Sequence, residues 1–135
     1  MRYIQGKKGQ AMIETALVLP LVLMLFFGII VMGIYIYDMT VFVYASNKAL
    51  DHGVGMLTET CLTDEQKEEI EEKALDAAGT ALFIQGVEAY AVTNSTAEEI
   101  TLTVKVKADF VGNLPFTERI AEVKAESSYV YKKYS

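Results

Sequence analysis

Hydrophobic and polar positions divide this chain into three regimes. After a short polar opening, residues Ala16 to Tyr37 form a run of 22 without a charged side chain. At about 1.5 Å per helical residue, such a run is long enough for the roughly 30 Å hydrocarbon core of a bilayer. A membrane span is therefore expected at 16–37. From Met39 to Leu57 apolar residues recur at Phe42, Tyr44, Ala45, Ala49, Leu50 and Val54. That spacing is close to helical, so the helix should continue out of the membrane as one stem over residues 10–57, ending or fraying near Gly53 and Gly55. Pro20 lacks a backbone donor and crowds the preceding turn, so a kink or a locally melted segment is expected there. Gly28 and Gly33 permit close helix approach, but their spacing is not the Gly-x-x-x-Gly pattern.

The second regime is amphipathic. Thr63 can cap a helix, with Gln66 three places on completing a capping box. Ile70, Ala74, Ala77 and Ala78, extended by Leu75, supply an apolar stripe, while Glu65, Glu68, Glu69, Glu71 and Glu72 load the solvent face and the first turns. In the third regime the period falls to two. Val87–Thr93 reads as a strand, Asn94–Ala97 as a connection, and Ile100–Phe110 as a second strand. Its inward positions are Ile100, Leu102, Val104, Val106 and Ala108, and its outward ones Thr101, Thr103, Lys105, Lys107 and Asp109. Asn113-Leu114-Pro115 breaks this strand, and Ala121–Tyr131 offers a third. The fold class is α+β: a long N-terminal transmembrane helix, then a small exported domain with one further helix and a three-stranded antiparallel sheet resting on that helix and the upper stem.

Charge refines this division into a leader at 1–9, a stem at 10–57 and a domain at 58–135. Arg2, Lys7 and Lys8 give the leader three bases and no acid, so the positive-inside tendency keeps the N-terminus cytoplasmic and exports the rest. Tyr35, Tyr37 and Tyr44 fall where an aromatic belt should lie or where a helix simply packs. The whole chain has 12 bases against 18 acids, and phosphate binding needs clustered Lys and Arg, so no nucleic-acid partner is expected. Cys61 is the single cysteine and His52 the single histidine, so neither an internal disulfide nor a cysteine metal cluster can form. No nucleophile, base and orienter set is present, and the acidic run lacks calcium-loop spacing. The expectation is no enzyme, no cofactor and no metal. Asn94-Ser95-Thr96 matches a glycosylation triplet, which chance alone supplies, and Tyr129, Tyr131 and Tyr134 either finish the sheet or present an aromatic patch. Glu14 is different: an acid beside an apolar span costs up to a few kcal/mol if drawn inward, on the order of the insertion penalty for charged residues.

The string Lys7-Lys8-Gly9-Gln10-Ala11-Met12-Ile13-Glu14-Thr15-Ala16-Leu17-Val18-Leu19-Pro20 resembles the start of the TadE-like proteins, minor pilins of tight-adherence (Tad, Flp-type) pilus systems within the type IV pilin-like group. The likeness lies in the basic leader ending in Gly, the Glu five places beyond it, and the proline within the apolar helix. Thr15 stands where many TadE-like chains have Phe or Tyr. The resemblance implies that a prepilin peptidase cuts between Gly9 and Gln10, that Glu14 serves processing and assembly, and that other pilin-like subunits and the assembly machinery are partners. The expected role is then a minor pilin or pseudopilin that primes or caps a Tad-type pilus for adhesion or secretion, placed in a bacterial cell membrane by a single pass. The alternative is an uncleaved single-span membrane protein whose exterior domain senses a ligand or serves a transport or secretion complex.

Overall fold

The computed structural model describes residues 3–57, 61–111 and 122–133, with side chains from Gly9 onward. Helix α1, Tyr3–Met56, is 54 residues long, and at 1.5 Å per residue it extends about 80 Å. It begins seven residues before Gln10, so leader and stem are joined by continuous helix, and it remains helical through Pro20 with no melted turn. Helix α2, Asp64–Ala78, opens with the expected capping box: the Thr63 hydroxyl accepts from the Gln66 N–H, and the Gln66 side chain accepts from the Thr63 N–H. Strands β1 (Ile84–Ser95), β2 (Glu99–Phe110) and β3 (Glu122–Lys132) form one antiparallel sheet in the order β1-β2-β3. The alternation of β2 is as expected, with Ile100, Leu102, Val104, Val106, Ala108 and Phe110 all buried.

The core is shared by every element. Phe42, Ala45 and Ala49 from α1, Ile70, Ala74 and Ala78 from α2, and the inward side of β2 with Val123 pack into one cluster. Alanine at four of the six helical positions in that set lets both helices approach the sheet closely. Contacts fix the direction of travel. The Phe110 ring meets Tyr35 edge to face at 5.2 Å, while a Cβ added at Gly53 would lie 2.6 Å from Leu102 and 2.8 Å from Ile70. From Tyr35 to Gly53 the helix climbs about 27 Å, and eight residues of strand cover the same distance. β2 therefore runs antiparallel to α1, with Phe110 nearest the apolar stem and the β1–β2 hairpin farthest from it.

One position departs from expectation: Leu75 is exposed, one residue off the stripe that buries Ala74 and Ala78. Tyr44, open between belt and packing in the sequence, is exposed, because it sits about 200° around the helix from Phe42. β1 also starts earlier than its period indicates. The register shifts between Gln85 and Glu88 around Gly86, whose φ of 66° suits glycine, and this bulge hides Ile84 and Gln85 from a two-residue alternation. The expected break at Asn113-Leu114-Pro115, the strand start at Ala121 and Tyr134 lie outside the described residues.

Gly53 is a close-packing site, since Leu102 and Ile70 are themselves fully buried and have nowhere to retreat. Gly53→Val is expected to destabilise the folded domain by about 1–3 kcal/mol through overpacking. Denaturant unfolding of the full chain in detergent checks this; an unchanged midpoint would show that the contact yields freely.

Candidate functional site

The stem carries the residues that the leader motif singles out. From Met12 to Ile30 its large apolar side chains, including Leu17, Leu21, Leu25, Phe26 and Ile29, are exposed. No part of the most apolar stretch of α1 is buried within the chain, and this is the one helix long and apolar enough to cross a membrane among the described residues. Polar groups at its start are served locally. Thr15 Oγ1 donates to the Ala11 carbonyl at 2.9 Å, so its hydroxyl needs no water. The Gln10 amide lies 3.4 Å from a Glu14 carboxylate oxygen, one turn away on the same face. Gly9 has open space where a Cβ would stand.

Where stem meets domain, a second set of polar groups gathers. Asp38 is fully buried, accepts the Leu82 backbone N–H at 2.6 Å through Oδ1, and has no partner for Oδ2. Burial raises its pKa above the usual carboxylate value, opposed by the Leu82 hydrogen bond. Tyr35 donates to the Glu122 carbonyl at 3.4 Å. Farther along, the buried Ser46 hydroxyl lies 2.8 Å from that of Ser127, which donates to Asn47 at 2.6 Å. These contacts place β3 alongside the stem and running away from its apolar half.

Nothing in the sequence pointed to Asp38 beyond its being the first charge after the apolar run. The signal that would have found it is its phase: it lies one turn before Phe42 and so on the same face as Ala45 and Ala49. The sign of its pH effect follows from the raised pKa. The folded state holds the proton more tightly than the unfolded chain, so Asp38 favours folding most in acid, and that contribution is lost as pH rises through the folded pKa. Asp38→Asn, which keeps an acceptor for Leu82, is expected to be stabilised relative to the parent at neutral pH. The difference should shrink as pH falls toward the ordinary Asp value. Paired unfolding curves across pH check it, and a pH-independent difference would count against a buried, reluctant carboxylate.

The outward face of the sheet holds a shallow groove of about 570 Å³ lined by Tyr90, Lys105, Lys107, Lys124, Glu122 and Glu126. Its cations are largely matched within the face. Lys107 Nζ is 2.9 Å from Glu88, Lys105 Nζ is 3.3 Å from Glu126, and Tyr90 donates to Glu88 at 2.7 Å. Hydrogen bonds from Lys107 and then Tyr90 lower the Glu88 pKa, while Glu88 raises that of Lys107. His52 pairs with Glu69 at 2.9 Å, tying α1 to α2 at the surface, and Cys61 is exposed. No group of three potential metal ligands gathers among the described residues. Tyr37 and Tyr44 stay exposed, as does Tyr129, whereas Tyr35 is half-buried against the domain.

Fold and site together define a protein anchored by a single apolar helix whose upper half is built into a small α+β domain. Residues 9–51 match the family described as TadE-like protein, a likeness that covers the stem and its junction with the domain. No curated protein and no solved structure matches the chain.

Proposed function

We propose that this protein is a minor pilin or pseudopilin of a Tad-type pilus, cut by prepilin peptidase between Gly9 and Gln10 and acting as a priming or capping subunit in assembly for adhesion or secretion. The observation that carries the reading is where the TadE-like match begins: at Gly9, the residue on which the basic leader ends. Gly9 lies within helix, and a protease needs extended backbone. Glycine gives up helix more readily than alanine by about 0.5–1 kcal/mol, so local unwinding costs least there. Hydrolysis of the Gly9–Gln10 bond releases the leader with its three bases and leaves a cationic amine on Gln10. Glu14, one turn away, neutralises that amine on a neighbouring subunit within a helical bundle. Loss of the leader also removes the charges that resist drawing the stem from the bilayer, with the N-terminus on the cytoplasmic side before processing.

The test is intact mass and N-terminal sequencing of the chain taken from its native membrane with its own peptidase present. A chain starting at Gln10 is expected. A chain that keeps residues 1–9 and still reaches its working location would overturn processing. It would favour the second reading, an uncleaved membrane protein that uses the groove beside Tyr90 and Lys124 for a ligand.

A further inference from the structure

We infer that the end of the domain nearest the stem's apolar half is an interfacial membrane anchor, in which Leu82, Phe83 and Val111 seat among the lipid headgroups and upper acyl chains beside the stem. This rests on the reading of α1 as a membrane span and not on processing or entry into a pilus.

Three observations converge. The first is depth. Val31, Ile34 and Tyr35 on α1 already pack against the domain, while Met32 and Ile36 on the other side of the same turns are still exposed. A hydrocarbon core of roughly 30 Å beginning at Met12 ends near residue 32, and beginning at Ala16 it ends near residue 36. The headgroup layer adds several ångströms more on each side, so the interface falls at residues from about 32 to 37 under the first placement and from about 36 to 41 under the second. The domain's lower end is at that depth: Phe110 stacks on Tyr35, and Leu82 is bonded to Asp38.

The second is chemistry. Leu82, Phe83 and Val111 are 49%, 58% and 52% exposed, with no contact among the described residues that covers them. The segment from Ala77 to Val87 holds no charged residue, whereas Asp76 and Glu88 bound it on either side. Large apolar side chains held out beside an apolar stem match an acyl boundary, where an amphipathic surface buries its apolar side to a depth of about 5–10 Å.

The third is fixation. Phe83 has a φ of 28°, an uncommon conformation for a bulky residue, and the Val111 N–H holds its carbonyl at 2.7 Å. One residue earlier, Asp38 holds Leu82. The loop is thus pinned to the stem from one side and to the end of β2 from the other, which keeps these side chains pointing outward rather than folding back on the core.

The test uses the full chain with Cys61→Ser, carrying one environment-sensitive fluorophore on Leu82→Cys, Val111→Cys, Leu23→Cys or Glu98→Cys. Each is reconstituted in phosphatidylethanolamine–phosphatidylglycerol vesicles with and without a lipid spin-labelled near the headgroup. Labels at 82 and 111 are expected to lose at least about twofold more fluorescence to the shallow spin label than the label at 98 on the distal hairpin, consistent with interfacial depth. Equal access of aqueous iodide to 82, 111 and 98, with 23 protected, would overturn the anchor while leaving the span intact. Shielding of 82 and 111 from both iodide and lipid would overturn it in favour of a protein contact. An unprotected label at 23 would remove the span itself, and with it the anchor. The N-terminal sequence of the native chain is independent of all four outcomes.

Discussion

Phe110→Ala is expected to cost the domain about 3–5 kcal/mol, the range for truncating a buried aromatic in a core. The ring is 1% exposed and lies edge to face with Tyr35, so its loss leaves a cavity at the joint between sheet and stem and removes an aromatic pair worth about 0.5–1.5 kcal/mol beyond area. Small domains are stable by only about 5–15 kcal/mol in all. The variant should therefore unfold at clearly lower denaturant, or lose the sheet to limited proteolysis, while the lipid-facing part of α1 stays helical. Val130→Thr on the exposed side of β3 should change stability by no more than about 0.5 kcal/mol and serves as the comparison. Equal midpoints for the two variants would mean that the joint does not hold the domain to its stem.

The second large effect is at the other end of the stem. Glu14→Gln keeps size and polarity but removes the charge, and it should insert into the membrane normally while recovery in assembled complexes falls at least about tenfold. A pair of unit charges about 4 Å apart at an effective dielectric near 20 interacts by about 4 kcal/mol, and about 1.4 kcal/mol already corresponds to that factor. The relevant geometry is within one turn: the side chains at positions 10 and 14 share a face and come to 3.4 Å. Chemical crosslinking of native membranes, with insertion followed in parallel by carbonate extraction, separates assembly from delivery. Parent-like crosslinking in the variant would remove the amine-pairing role of Glu14.

Local signals and non-local contacts explain which parts of this molecule were legible in its sequence. The α2 cap needs only Thr63 and Gln66, and the β2 alternation needs only the strand itself, so both are readable without any partner. The apolar length of the stem is likewise local. Ile84 escapes because the bulge at Gly86 interrupts the two-residue period, and Leu75 reads as part of the apolar stripe because apolar character alone does not give a helix its phase. Asp38 and Leu82 are 44 residues apart, and Ser46 and Ser127 are 81 apart. Such pairings are set by how the sheet leans on the stem, which no window of sequence contains. Glu14 was legible because its oddity, a charge beside an apolar run, is entirely local.

Because Phe42, Ala45 and Ala49 of α1 are core residues of the domain, no swivel separates anchor from cargo. The described helix is unbroken from the lipid-facing segment into that core, and a long helix resists bending far more than a flexible linker does. Force applied to the buried half therefore arrives in the sheet as a push or a twist rather than being absorbed on the way. Piston-like displacement of the rod would lift or rotate the exposed face of β1, β2 and β3 by the same amount, making the chain a lever with its load fixed to the shaft.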